Sequence, residues 1–340
     1  MPETPDKTGS PAAGLSIVVP AYNEAGGLAA VHARVAAVAA DLAKTRGLRC
    51  EVVYVDDGSR DATLALAKSL PADGLDVQVV ALSRNFGKEA ALLAGLDHAR
   101  YGAILFMDGD GQHPAALVER LVAHWLDDGY DVVYTAKANR GGESWLRRLG
   151  VKIFYGALNF GSRHKIPEDA GDFRLLSPRA AAALRQMPER NRFFKGLSSW
   201  IGFRQLRVDY DPSARVAGET KWNARALISL SIEGLTSFSV APLRLASLLG
   251  FMLAFAAFLF GVEILIETLV LEKSVPGYPS VIVGVMVLGG VQLMVIGIMG
   301  EYIGKILWEL KRRPVYFVAE HQVKAAEPVT ADHAKTSHAE

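Results

Sequence analysis

The 340-residue sequence holds a single cysteine, Cys50. One thiol excludes a disulfide framework and a cysteine-built zinc cage, and it fits a reducing compartment. Neither charge is in surplus: 37 Lys and Arg against 36 Asp and Glu leave a formal net charge of +1. That balance argues against a globally basic nucleic-acid binder and against an acidic, solvated chain, so no nucleic-acid partner is expected. The chain has no G-x-G-x-x-G after its first predicted strand and no G-x-x-x-x-G-K-[ST] anywhere. Missing both common phosphate-cradling loops, it is poorly suited to dehydrogenase or P-loop chemistry. Its first residues carry no apolar stretch of the secretory kind, so the chain is expected to begin on the cytoplasmic side.

What is present is largely apolar. Half of the residues are hydrophobic, and the mean hydropathy of +0.18 is high for a soluble protein. At roughly 150 residues per domain, the length allows about two domains. Residues 1–13 and 319–340 are polar and without periodicity, and are expected to be disordered tails. Between Leu15 and about Ala136, short apolar runs alternate with Ala/Leu-rich stretches. LSIVVP (15–20), EVVYV (51–55), VQVVAL (77–82), AILFM (103–107) and DVVYTA (131–136) are predicted strands, with helices at about 24–44, 61–69, 87–99 and 114–126. The strand runs are nearly continuous, as for strands buried on both faces. The order predicts an α/β domain with a parallel sheet and right-handed crossovers.

Charge and hydropathy then divide the rest. Residues 140–225 contain seventeen Lys and Arg against eight Asp and Glu, a local surplus of nine. Within them Trp145, Leu146, Leu149, Ile153, Phe154, Ala157 and Leu158 recur at helical spacing, with Arg147, Arg148 and Lys152 on the other side. Such a basic amphipathic helix suits an anionic membrane surface, although taken alone it reads first as an ordinary helix packed on the sheet with a solvated basic face. Leu245–Val262 and Ser274–Gly300 are free of charge for 18 and 27 residues, against the about 20 that span a bilayer. Arg244 precedes the first, while Lys305, Lys311, Arg312 and Arg313 follow the second. By the positive-inside rule both outer ends are expected in the cytoplasm. The expected organisation is a cytosolic domain over 14–225, membrane-facing and basic from about 140, then a juxtamembrane helix at 226–242. Transmembrane helices at 243–268 and 276–304 and a cytosolic segment at 305–318 complete it.

Open parallel sheets bind ligands at the carboxyl ends of their strands, so chemistry is sought there. The first strand runs into Pro20-Ala21-Tyr22-Asn23-Glu24 and the second into Asp56-Asp57-Gly58-Ser59. Tyr22 offers a ring to stack on a base, and a carboxylate such as Asp57 suits the N3–H of uracil. The same VDDGS is equally at home as a turn capping the next helix. The fourth strand runs into Asp108-Gly109-Asp110-Gly111-Gln112-His113-Pro114. Two carboxylates one residue apart project to one side of a strand end, and with the Gln112 amide oxygen they make an all-oxygen site for Mg²⁺ or Mn²⁺. The glycines let a diphosphate approach the backbone. In Gly171-Asp172-Phe173-Arg174-Leu175-Leu176 an acid opens an apolar run. It is placed to orient or deprotonate an acceptor, or to pair with Arg174. Arg215-Val216-Ala217-Gly218-Glu219-Thr220-Lys221-Trp222 sets Arg and Lys around a glycine turn. That suits a phosphate near the bilayer, or anionic lipid in general.

PAYNE, VDDGS, SRNFGKE, DGDGQHP, GDFRLL and RVAGETKW, in this order, resemble the membrane-anchored family 2 glycosyltransferases that load a sugar onto polyprenyl phosphate. The bactoprenol glucosyltransferase type, related to dolichyl-phosphate mannose synthases, is the nearest likeness, over about Leu15 to Val318. The resemblance implies a GT-A (Rossmann-like) nucleotide-sugar domain with interfacial helices and a two-helix transmembrane hairpin. It implies that Pro20, Tyr22, Glu24, Val55 and Asp57 line the nucleotide pocket. Asp108 and Asp110 would be the DXD pair on metal and diphosphate, with Gln112 a further ligand. Asp172 would act on the acceptor, Arg215 and Lys221 would hold lipid phosphate and diphosphate, and Arg140 would lie in a basic loop closing over the site. Relatives usually read DADLQ where this chain has Gly109 and Gly111, which predicts a more flexible metal loop.

The implied reaction is inverting transfer of a sugar, glucose by the overall likeness, from a UDP-sugar to undecaprenyl or another polyprenyl phosphate at the cytoplasmic face of the inner membrane. The product would serve cell-surface glycan modification such as that of lipopolysaccharide. Galactose, an N-acetylhexosamine, mannose or an aminopentose are alternative donors, and a non-catalytic scaffold or flippase component is the alternative from another class. The resemblance also implies a homo-oligomer, a tetramer by analogy. No Q-x-x-R-W segment of a processive polysaccharide synthase is present.

Overall fold

The computed structural model describes residues 12–109, 114–137, 155–156, 171–190, 192–211, 241–269 and 277–326. The chain divides into two compact units. One comprises Met1–Ser144, Pro167–Lys221 and Arg313–Glu340, the other Trp145–Ile166 and Trp222–Arg312.

The first unit is built on β1 (Ala12–Ala21), β2 (Cys50–Asp56), β3 (Asp76–Leu82), β4 (Tyr101–Phe106), β5 (Val132–Lys137), β6 (Arg174–Leu176), β7 (Gln205–Tyr210) and β8 (Val318–Lys324). They form one eight-stranded sheet in the order β7-β5-β6-β4-β1-β2-β3-β8. Alternate residues of each strand face opposite layers. Ile17, Val52, Tyr54 and Leu105 pack beneath α1 (Leu28–Arg46), α2 (Thr63–Ser69) and α4 (Ala115–Leu126). Val18, Val53, Val55, Ile104 and Phe106 pack beneath α3 (Lys88–His98), α5 (Pro178–Gln186) and α6 (Phe194–Trp200). Helices on both faces explain why the strand sequences are apolar without alternation. α3 lies so close to β1 that a Cβ on Gly95 would sit 2.1 Å from Val18 Cγ1. Glu51, fully buried in β2, is satisfied by Ser16 Oγ at 2.5 Å, Gln78 Nε2 at 2.8 Å and Arg100 Nε at 2.7 Å.

Two expectations are corrected. The sheet is mixed rather than parallel. β6 lies antiparallel between β4 and β5, and β8 runs antiparallel to β3. β6 joins the sheet through three buried residues, Arg174 to Leu176, entering from the GDFRLL segment against the direction of its neighbours. The segment from 319 is not all disordered tail. Val318–Lys324 pairs residue by residue with Leu82 back to Val77. Polar contacts lock it: Lys68 with Glu320, His321 Nε2 with Gln78 Oε1 at 2.8 Å, and Lys324 Nζ with the Leu70 carbonyl at 2.9 Å. Ladder bonds and side-chain polarity hold this edge strand, so it shows no apolar pattern.

In the second unit, α7 (Ala241–Leu269) and α8 (Tyr278–Leu310) are helices of 29 and 33 residues. Leu245–Glu263 and Val283–Leu310 have mean hydropathies of 2.3 and 2.1, so both are long and apolar enough to cross a membrane. The predicted amphipathic helix around 145–158 lies outside the described residues except for 155–156.

Candidate active site

The carboxyl ends of β1, β2 and β4 converge along one edge of the sheet. Pro20 and Val55 are register partners, and Asp57 N donates to the Ala21 carbonyl at 2.9 Å. Beyond β1 the chain turns through Asn23, which adopts a positive φ of 55°. Asn23 N donates to Ser59 Oγ at 3.0 Å, its Oδ1 accepts from Arg60 N at 2.9 Å, and Glu24 N donates to Thr63 Oγ1 at 2.9 Å. These bonds fasten Tyr22 and Glu24 beside the Asp56–Ser59 turn, with Tyr22 42% exposed.

Asp57 is buried, and its two oxygens accept the backbone N–H groups of Phe86 at 2.7 Å and Gly87 at 2.9 Å. Burial pushes its carboxyl up, with those two bonds opposing. Asp57 thus holds the Ser83–Gly87 loop, a role that a helix-capping turn at VDDGS would not include. Asp56, its buried neighbour, accepts from Ser59 N through Oδ2 at 3.2 Å, while its Oδ1 has no hydrogen-bond partner among the described residues.

The Ser83–Gly87 loop leads into Lys88, the first residue of α3, and Lys88 joins the remaining acids. Its Nζ lies 2.6 Å from Asp108 Oδ1, just past β4, and 2.6 Å from Asp172 Oδ2, just before β6. The pairing of Phe106 with Arg174 brings these two strand-end acids together across 64 residues of sequence. Lys195, in the first turn of α6, approaches Asp172 Oδ1 at 3.1 Å. Burial raises the Asp172 carboxyl, but Lys195 and Lys88 outweigh it, with Arg174 adding, and hold it well below the usual carboxylate range. Burial likewise lowers the Lys88 ammonium, but Asp172 and Asp108 more than reverse this. The buried Arg174 guanidinium donates to the carbonyls of Gly171 at 2.7 Å and Phe194 at 3.2 Å. Glu89 accepts from Phe194 N at 2.9 Å, and burial pushes its carboxyl up to about 7.

Neither Lys88 nor Lys195 is a site residue by sequence reasoning, although Lys88 lies within SRNFGKE. Asp110, Gln112, Arg140, Arg215 and Lys221 lie outside the described residues. Among the described residues no group of three or more His, Cys, Asp or Glu is placed to hold a metal ion. Asp108 fits such a role by chemistry, since its carboxylate already binds a cation, the Lys88 ammonium.

A mixed α/β sheet of this kind, with acids gathered at the carboxyl ends of its parallel strands, is the GT-A-like arrangement of glycosyltransferases. Residues 16–185 match glycosyl transferase family 2, and the chain belongs to that family. It is 40% identical over 306 residues to an uncharacterized glycosyltransferase of Synechocystis sp., covering 90% of this chain and 95% of the relative. It is 39% identical over 310 residues to the bactoprenol glucosyl transferase of Shigella phage SfV, covering 91% of this chain and 99% of that protein. Among solved structures, mannosyl-3-phosphoglycerate synthase from Rubrobacter xylanophilus matches with a TM-score of 0.44 at 17% identity, covering 70% of this chain and 75% of its own.

Proposed function

We propose that this enzyme transfers glucose from UDP-glucose, with inversion, to undecaprenyl or a related polyprenyl phosphate at the cytoplasmic face of a membrane that α7 and α8 span. The observation that carries this reading is the Lys88 bridge. One ammonium holds a strand-end acid suited to the donor's diphosphate, Asp108, and an acid suited to the acceptor, Asp172. The relative named bactoprenol glucosyl transferase supports the choice of sugar and lipid.

Tyr22 stacks on the uracil, and Asp57 is the acceptor for its N3–H. Asp108, with Asp110 and Gln112, would hold Mg²⁺ or Mn²⁺, which when bound supplies positive charge against the departing diphosphate. Asp172, kept ionised by two lysines, is a poor base. The reaction does not need one, because a phosphate monoester has a second pKa of about 6 and is already anionic near neutrality. Asp172 therefore orients the acceptor. Arg140, Arg215 and Lys221 supply further charge to the two phosphates. The apolar helices confine the lipid to the bilayer while the nucleotide arrives from water, and this positioning is itself catalytic.

The test is formation of lipid-linked sugar by the full-length protein supplied with undecaprenyl phosphate, a panel of UDP-sugars and Mg²⁺ or Mn²⁺, read by mass spectrometry. Glucose is the expected donor, and Asp110→Asn is expected to reduce turnover by about 10²-fold or more. A wild type that transfers nothing, or an Asp110→Asn variant with undiminished turnover, contradicts the reading.

A further inference from the structure

Resting on that function, the geometry points to a subsite for the acceptor's phosphate monoester, built by Lys88 and Lys195 around Asp172. The two lysines come from different helices but are fixed to each other. Lys88 opens α3, and the next residue, Glu89, accepts the backbone N–H of Phe194 at the start of α6, immediately before Lys195. Asp172 then draws both ammonium groups to a single point, at 2.6 and 3.1 Å. The site faces solvent: the side chains of Lys88, Lys195 and Asp172 are 44%, 23% and 25% exposed.

An ammonium has three N–H donors. Among the described residues Lys195 makes one carboxylate contact and Lys88 makes two, which leaves both ammonium groups with donors for a tetrahedral oxyanion. Two point charges without a planar fork suit a phosphate that must present one oxygen and be released after reaction. The same electrostatics disfavour a neutral alcohol acceptor. An alcohol must lose a proton, and Asp172, its carboxylate oxygens tied to two ammonium groups at 2.6 and 3.1 Å, is a weak base for it. A phosphate monoester dianion brings its own charge. One of its oxygens forms the new bond to the anomeric carbon, and the bond from that carbon to the UDP oxygen breaks with its electron pair leaving on UDP. The acceptor passes from a dianionic monoester to a monoanionic diester, and no proton moves. Because Lys88 also binds Asp108, it senses both substrates, whereas the carboxylate that Lys195 meets among the described residues is Asp172 alone.

Phosphate chemistry here has two sources, the lipid monoester and the donor diphosphate, and the experiment separates them. Full-length wild type, Lys195→Met and Lys195→Arg are titrated in detergent with farnesyl phosphate, with farnesol, and with UDP plus Mn²⁺. Wild type should bind farnesyl phosphate and not farnesol. Lys195→Met should weaken farnesyl phosphate by about tenfold or more, leave UDP binding unchanged, and raise KM for undecaprenyl phosphate with little change in KM for UDP-glucose. Lys195→Arg should restore most of the loss. Equal farnesyl phosphate binding by Lys195→Met overturns the subsite, as does weakening of UDP in equal measure, which reassigns the lysine to the donor. Absence of sugar transfer by wild type overturns the function itself. Normal transfer with an unaltered acceptor KM in Lys195→Met overturns the subsite alone.

Discussion

Gly58 is the position where a single methyl group tests how the nucleotide edge is built. It follows Asp57 at a φ of +69°, and a Cβ added there would lie 2.5 Å from the Arg84 carbonyl carbon, 2.6 Å from Asn85 N and 2.9 Å from Arg84 Cα. All three atoms are backbone, so no change of rotamer relieves the overlap. Left-handed geometry costs an alanine about 1–2 kcal/mol. Forcing the Ser83–Gly87 loop aside costs about 1–3 kcal/mol more. That loop carries the N–H groups that Asp57 accepts at 2.7 and 2.9 Å, and Asp57 is only 4% exposed, so little water can replace them. At about 3 kcal/mol in total, Gly58→Ala should lower the apparent melting temperature by roughly 6–12 °C. It should also raise KM for UDP-glucose while sparing KM for the lipid. Thermal unfolding of the full-length protein in detergent, followed by tryptophan fluorescence beside steady-state kinetics, measures both. A variant melting within about 1 °C of wild type, with unaltered donor KM, refutes the account of this loop.

Other perturbations read other parts of the structure. Because burial raises the Glu89 carboxyl to about 7, its contribution to stability is largest when protonated and is lost as pH rises from the ordinary glutamate value of about 4.3 towards 7. Glu89→Gln keeps an acceptor for Phe194 N, so it should melt higher than wild type near pH 8 and gain little near pH 5; parallel melting curves at the two pH values contradict the assignment. Ending the chain after Pro314 removes β8 and uncovers the outer edge of β3. It also removes the Phe317 carbonyl that accepts Ser83 N at 2.9 Å and the ring 6.3 Å from Phe86. The truncated protein should aggregate more readily and bind UDP more weakly, and light scattering and UDP titrations indistinguishable from wild type would show that the strand is dispensable.

The five strands foreseen from apolar runs are legible because helices cover both faces of the sheet, and burial on both faces writes an uninterrupted apolar sequence. Direction is another matter. Nothing in Arg174-Leu175-Leu176 distinguishes a strand running with β4 from one running against it, and three residues are too few to register as a strand at all. β8 escapes for the opposite reason. Its residues remain largely exposed, so periodicity carries no trace of it. Its stability lies in partners far away in sequence, such as Gln78 for His321, about 240 positions earlier. What is legible at this end of the chain is its polarity, which an exposed edge strand and a disordered tail share.

The site divides along a similar line. Asp57, Asp108 and Asp172 stand out in sequence because an acid next to a buried apolar run has no packing reason to be there. Lysines carry no such mark on the surface of an α/β domain, yet these two have one. Lys88 is the first residue of α3 and Lys195 the second of α6. A helix N-terminus carries partial positive charge and favours acids, so a lysine in the first turn works against the macrodipole by about 0.3–1 kcal/mol. Among the described residues neither helix has a side-chain cap, and only α3 has an acid, Glu89, in its first turn. Two unfavourably placed cations meeting on one carboxylate imply that positive charge is wanted at Asp172 more than helix stability is. A carboxylate alone does not need two lysines and an arginine around it. An incoming dianion does, since it must approach Asp172 closely without being repelled, and the two lysines that the helices tolerate are the condition for that approach.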